Sequence, residues 1–137
     1  MINDSRQDSI PLEKVAVVLQ DEIKKAIGAH GMWKVRMKNA INTGKSEFTI
    51  EQVSVDNQCE FGRWLYGSTI SAAEKTADYE TCRKLHAEFH KVTAGVLRQA
   101  LAGDKDAAAK ALAPDGKFTD ASARLTTAMM KWGNTAR

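Results

Sequence analysis

Apolar residues recur along most of this chain with the period of a helix rather than a strand. The first run reads Leu12, Val15, Leu19, Ile23, Ala26, Ile27, His30, Trp33, Met37 and Ile41. Steps of three and four, sustained for ~eight turns at 3.6 residues per turn, predict one long amphipathic helix. Ser9 and Pro11 read as its start, and Asn42-Thr43-Gly44 as its end. A second long stripe runs from Asp78 to Ala102 through Tyr79, Cys82, His86, Phe89, Thr93, Val96 and Ala100, and Gly103 closes it. A third carries Phe118, Ala121, Leu125, Ala128, Met129 and Trp132.

Shorter elements lie between these runs. The connector 45–55 holds a turn of helix at Ile50–Val53. Asp56 is placed to cap a short helix carrying Cys59, Phe61, Trp64 and Leu65, which Gly67 stops. Residues 68–77 read as another short turn. Asp104 caps an alanine-rich segment, Lys105–Leu112, which Pro114-Asp115-Gly116 interrupts. No alternating strand pattern and no repeat is evident. The expectation is an all-α antiparallel four-helix bundle with an additional short helix carrying the cysteine. Residues 1–10 read as a flexible N-terminal arm and residues 11–137 as a single helical domain.

Composition adds little to this picture and removes several function classes. A chain of 137 residues, 43% hydrophobic and 27% charged, can bury a core without staples. A net charge of +3 does not mark a nucleic-acid binder, and Lys34, Arg36 and Lys38 read as a solvated flank without an aromatic platform. The densest apolar stretch, Val15 to Leu19, falls far short of the ~20 residues that span a bilayer. Met1–Ser9 shows no signal-peptide pattern, so a cytoplasmic protein without membrane insertion is expected, its two cysteines reduced. The Met1 start and the polar end Gly133–Arg137 favour a stand-alone protein over an excised piece.

The candidate chemistry lies in the histidines. The chain has three, His30, His86 and His90, and all fall on or beside apolar stripes. His86 and His90, four apart, project from one helix face and are spaced to share a metal. Cys59 stands on its own short helix. Three imidazoles and one thiolate make a complete tetrahedral donor set for zinc, although spacing alone leaves copper, iron and nickel open. It also leaves Cys82 as an alternative thiolate, since Cys82, His86 and His90 share a spacing of four. The competing reading is a set of hydrogen-bonded core histidines.

Three blocks of sequence then bear on the choice. They are His30-Gly-Met-Trp33, Cys59-Glu-Phe-Gly62-Arg-Trp64, and His86-Ala-Glu-Phe89-His90. Together, in this order, they resemble the chemoreceptor zinc-binding (CZB) domain family across roughly residues 12–133. The resemblance implies a four-helix bundle with one zinc ion held by His30, Cys59, His86 and His90, which leaves Cys82 as a buried apolar residue. Trp33 and Trp64 are expected to wall the site, and Gly62 to let a neighbouring helix approach. Glu60, Asp78 and Glu88 are near enough in sequence to orient the imidazoles.

Four protein donors leave no open coordination position, which is the mark of a structural or sensing zinc rather than a hydrolytic one. Ala87 stands where a metalloprotease places its general base, so no enzyme activity is expected. A di-iron carrier needs Glu-x-x-His pairs, and Arg83 and Ala87 occupy those positions. The resemblance implies a regulatory module of bacterial signalling, in chemotaxis or cyclic-di-GMP control, that senses zinc or oxidants. It also implies a homodimer, with a chemoreceptor or diguanylate cyclase as possible partner. A strip at Val15, Val18 and Leu19 is the expected dimer surface. The alternative is a structural homodimerisation bundle that zinc stabilises.

Overall fold

The computed structural model describes residues 12–67, 70 and 75–135, the side chains of 12–18 and 135 excepted. The arm at 1–10, the helix start at Ser9 and Pro11 and most of the turn expected at 68–77 lie outside the described residues. Within them the chain forms six helices: α1 (Leu12–Thr43), α2 (Ile50–Ser54), α3 (Glu60–Leu65), α4 (Ala77–Leu101), α5 (Lys105–Leu112) and α6 (Lys117–Thr135). There is no strand among these residues, so the fold is all-α.

The helix ends follow from local chemistry. Gly44, at φ 72°, takes the left-handed conformation that ends α1, and its N–H donates to the Ala40 carbonyl. Thr49 and Gln52 satisfy each other's backbone N–H groups at the start of α2 in a reciprocal capping box. Thr76 caps α4 and Asp104 caps α5, the latter by accepting from the Ala107 N–H. Gly103 turns the chain between those two helices at φ 83°.

One boundary differs from expectation in a way that matters for the site. Cys59 is not inside a helix that Asp56 caps; Cys59 is itself the N-cap of α3, and its Sγ accepts from the Gly62 N–H at 3.2 Å. The Cys-x-x-Gly spacing is therefore a capping spacing, from the N-cap side chain to the third helical N–H.

The long helices α1, α4 and α6 pack on one another, and α5 packs on all three, as in a four-helix bundle with one short member. The short helix α2 lies on α4, and α3 touches α1. The predicted stripes meet in the core. Leu19, Ile23, Ala26, Trp33 and Met37 come from α1, Cys82, Phe89, Val96 and Leu97 from α4, and Phe118, Leu125, Met129 and Trp132 from α6. Leu19 is thus a core residue, 1% exposed, and not part of an exposed strip; the side chains of Val15 and Val18 lie outside the description. Tyr79 donates from its hydroxyl to the Leu65 carbonyl, and Trp132 meets both Tyr79 and Trp64, which ties α3 to the joint of α4 and α6. No helix among the described residues is long and apolar enough to cross a membrane.

Gly28 and Gly31 in α1 have no close neighbour: a Cβ at either would meet nothing within 4 Å. Close approach by another element therefore does not account for them.

The fully buried Leu97, where α4 faces its neighbours, tests the core. Leu97→Ala is expected to cost about 2–5 kcal/mol by removing buried methyl groups and leaving a cavity. Urea unfolding of the metal-free protein reads this directly as a lower midpoint at unchanged slope.

Candidate metal centre

The four sequence-selected residues come together. The Nε2 atoms of His30 and His86 are 3.1 Å apart, as are those of His86 and His90, and the Cys59 Sγ is 3.4 Å from the His86 Nε2. All four donor atoms lie within 4.8 Å of one another. A tetrahedral zinc ion with bonds of ~2.0–2.3 Å needs donor separations of ~3.3–3.6 Å. The three short separations, 3.1 to 3.4 Å, come close to that spacing, and the remaining pairs lie within 4.8 Å. His30, His86 and His90 are buried and Cys59 is half-buried.

Backbone carbonyls decide how two imidazoles are aimed. The His30 Nδ1 lies 2.7 Å from the Ala26 carbonyl one turn back along α1. The His90 Nδ1 lies 2.9 Å from the Val53 carbonyl. A carbonyl only accepts, so both Nδ1 atoms carry the proton and both Nε2 atoms present a bare lone pair to the cluster. Val53 sits in the last turn of α2, where carbonyls have no partner within the helix. This short helix thus supplies an otherwise idle acceptor that orients His90.

His86 is the third ring. Its Nδ1 is buried without a hydrogen-bond partner, and the Asp56 carboxylate lies 4.0 Å away. An Nδ1–H facing that carboxylate is the favourable tautomer; the opposite one would point a lone pair at an anion. Three Nε2 lone pairs then converge with one sulfur. Neutral imidazoles repel in this arrangement, and a cation at the centre is what it suits.

Protons do not supply that cation at neutral pH. Burial lowers the His30 pKa from 6.5 to about 4, partly offset by the Ala26 carbonyl. Burial, with the neighbouring histidines, takes His86 down to about 2. His90 is also lowered by burial, against the opposing pull of the Val53 carbonyl and Asp56. Burial raises the Cys59 thiol, and the Gly62 N–H works in the other direction. A bound metal favours the thiolate and neutral imidazoles together.

Gly62 serves the site in two ways, and the second demands glycine. Its N–H donates to the Cys59 sulfur, and a Cβ on it would collide with the Asp56 backbone carbonyl. The close neighbour is therefore the chain's own segment at 56–57 and not another helix. Asp56 is further fixed by the Tyr66 hydroxyl, which donates to its Oδ2.

The surroundings correct two expectations. Phe61 and Phe89 form the inner wall, edge-on to His30 at 5.8 and 5.2 Å between ring centres, and Phe61 also meets His86 at 5.1 Å. Trp33 meets His90, as expected, whereas Trp64 stands one layer back against Phe61 and Trp132. The carboxylate facing an imidazole is Asp56. Glu88 pairs with Arg124 at 2.9 Å, Asp78 lies 3.8 Å from Lys131, and Glu60 is exposed. Asp56 escaped the sequence reading because a residue three before Cys59 and thirty before His86 has no periodic relation to either. Cys82 stays outside the cluster. It is fully buried in the apolar core, which pushes its thiol up to about 12.

Residues 30–97 match the family model of the chemoreceptor zinc-binding domain, and this stretch contains all four donors. The resemblance read from the sequence is borne out, and zinc is the ion the cluster suits. Searches of curated proteins and of solved structures returned no match.

All three histidines have folded-state pKa values below that of a free imidazole, so the unfolded chain binds more protons. Their contribution to stability is present above about pH 6.5 and is lost as pH falls toward 4 and below. Chelator-treated protein is expected to show a falling thermal midpoint between pH 7 and pH 4. His30→Gln should flatten that fall; an equal slope in the variant would remove His30 from the account.

Proposed function

We propose that this chain, which carries a chemoreceptor zinc-binding segment over residues 30–97, is a sensory module of bacterial signalling whose zinc is held by His30, Cys59, His86 and His90. The observation that carries the reading is the convergence of three carbonyl- or carboxylate-oriented imidazoles and one thiol within 4.8 Å. When bound, zinc would supply a fixed positive charge that holds Cys59 as thiolate and ties together three segments, α1, the start of α3 and α4. The residues themselves do the rest. α1 and α4 present the imidazoles, the Ala26 and Val53 carbonyls hold two tautomers, Asp56 faces the third, and Phe61 and Phe89 keep water away. With four protein donors no coordination position is left for a substrate, which favours regulation over catalysis.

Two inputs fit the site. Zinc availability is one. Oxidation of Cys59 is the other, because Cys59 is the one donor of the four that is not buried. A thiolate attacked by hypochlorous acid gives a sulfenic acid and chloride, and this weakens the sulfur as a ligand. We place the module in the cytoplasm, as one domain over residues 11–137, with a chemoreceptor or a diguanylate cyclase as the output partner.

A homodimer fits a specific surface. Met32 and Val35 on α1 are each nearly half exposed, and Gly28 and Gly31 beside them have open space where side chains would stand. At 32 residues α1 is also ~48 Å long, against ~38 Å for α4. A second copy would cover that face. Met32→Glu is expected to shift the protein toward monomer in sedimentation velocity, with zinc content unchanged.

Metal analysis and metal removal test the main reading. Wild type and Cys82→Ala are expected to hold about one zinc per chain, Cys59→Ala to lose it, and Asp56→Asn to bind ~10- to 100-fold more weakly. Equal zinc in both cysteine variants would overturn the ligand set. After chelation a sensor should remain folded, with altered helix packing by hydrogen exchange. A chain that unfolds outright would instead support a structural bundle stabilised by zinc.

A further inference from the structure

A cleft of about 740 Å³ opens between α4, α5 and the start of α6. Its rim carries Lys91, Arg98, Lys110 and Lys117, with Asp115 as the one carboxylate. Four cations less one anion leave a local excess of three, equal to the formal net charge of all 137 residues. The remaining charges of the chain sum to zero, so the cleft is a local positive site on a nearly neutral chain. None of the four cations forms an ion pair with a carboxylate among the described residues, so their charge is not neutralised locally. The lining between the charges is largely aliphatic, with Val92 and Ala111 half-buried beside Gly95 and Val96 buried beneath, and no aromatic ring lines it.

A glycine makes the space. Gly95 lies inside the 25-residue α4, about two turns before its end, on the cleft wall. Glycine is the weakest helix former after proline, so its place here calls for a reason. Close packing is not the reason, since a Cβ at 95 would meet nothing within 4 Å. Any larger side chain would project into the cleft and fill it.

We propose that this cleft binds a small aliphatic anion, a free medium-chain carboxylate whose chain lies over Val92, Gly95 and Ala111 and whose head group meets the cationic rim. Volume and lining both fit this class: small-molecule sites enclose ~300–1,000 Å³, mostly apolar, with a few placed polar groups. The absence of aromatic rings from the lining disfavours a nucleotide, which binds by stacking. The proposal stands apart from the metal reading, although α4 carries His86 and His90 as well as the cleft wall.

Calorimetric titration of the zinc-loaded 137-residue chain with decanoate tests it, with decanol as the neutral control. The expected result is saturable one-to-one binding of decanoate that salt weakens and that decanol does not reproduce. The exposed-rim double variant Arg98→Ala/Lys110→Ala should weaken binding tenfold or more. Gly95→Leu should abolish it while zinc content stays the same and the thermal midpoint is kept or raised. The proposal is overturned by no saturable decanoate binding, by decanol binding equally well, or by full binding in Gly95→Leu. Capture by phosphatidylglycerol vesicles without binding of free decanoate also overturns it and assigns the face to a membrane surface.

Discussion

Everything in this fold is arranged around three imidazole nitrogens that should not be near one another. The Ala26 carbonyl fixes the proton of His30 on the outer nitrogen, and the Val53 carbonyl does the same for His90. Asp56 favours the same tautomer for His86. The bare nitrogens of His30 and His90 are thereby each held 3.1 Å from that of His86 in a buried, aromatic-walled space. Burial lowers the affinity of all three for protons, so acid does not relieve the repulsion at neutral pH. A divalent cation does, and the donor chemistry suits zinc. The arrangement is unfavourable by itself and becomes favourable with the ion, which is the property a metal-responsive module requires.

The short elements exist for this centre more than for the core. Helices of five and six residues do not persist on their own in water. The first is held by a capping box and by packing on α4, and it contributes the Val53 carbonyl. The second begins at Cys59, whose sulfur takes a helix N–H that would otherwise be unpaired. Gly62 permits this by letting the Asp56 backbone pass where a side chain would stand. One four-residue spacing therefore sets the helix start, the sulfur position and the path of the chain that carries Asp56.

Much of this was legible in the sequence, for physical reasons that can be named. Helical periodicity predicted the three long helices because their stripes meet in one core, and His86 and His90 share a face because four residues are about one turn. The Cys59 block was recognisable as a motif, but its mechanics were not: a cysteine that caps a helix looks, in sequence, like a cysteine inside one. Asp56 read as a cap since aspartate before a helix usually is one. Phe61 and Phe89 were read as core, and they are core, yet they also wall the site. Trp64 was placed at the site because it belongs to the same block, while the packing of Trp132 draws it one layer back. Leu19 continues a stripe, and the core claims it over any exposed surface.

The distribution of donors over elements says where a change at the centre must be felt. His30 sits on the 32-residue α1, and His86 and His90 on the 25-residue α4, both anchored by long apolar stripes. Cys59 sits at the lip of a six-residue helix joined to the bundle by the Tyr79–Leu65 hydrogen bond and the packing of Phe61, Trp64 and Leu65. If the sulfur lets go, the long helices lose one shared partner out of many, whereas the segment from Asp56 to Tyr66 loses the link that gives it its course. Local opening follows the least stable element. In the proposed sensing role the short-helix segment is therefore the part that would move first, and the long helices would be the frame against which that movement is read.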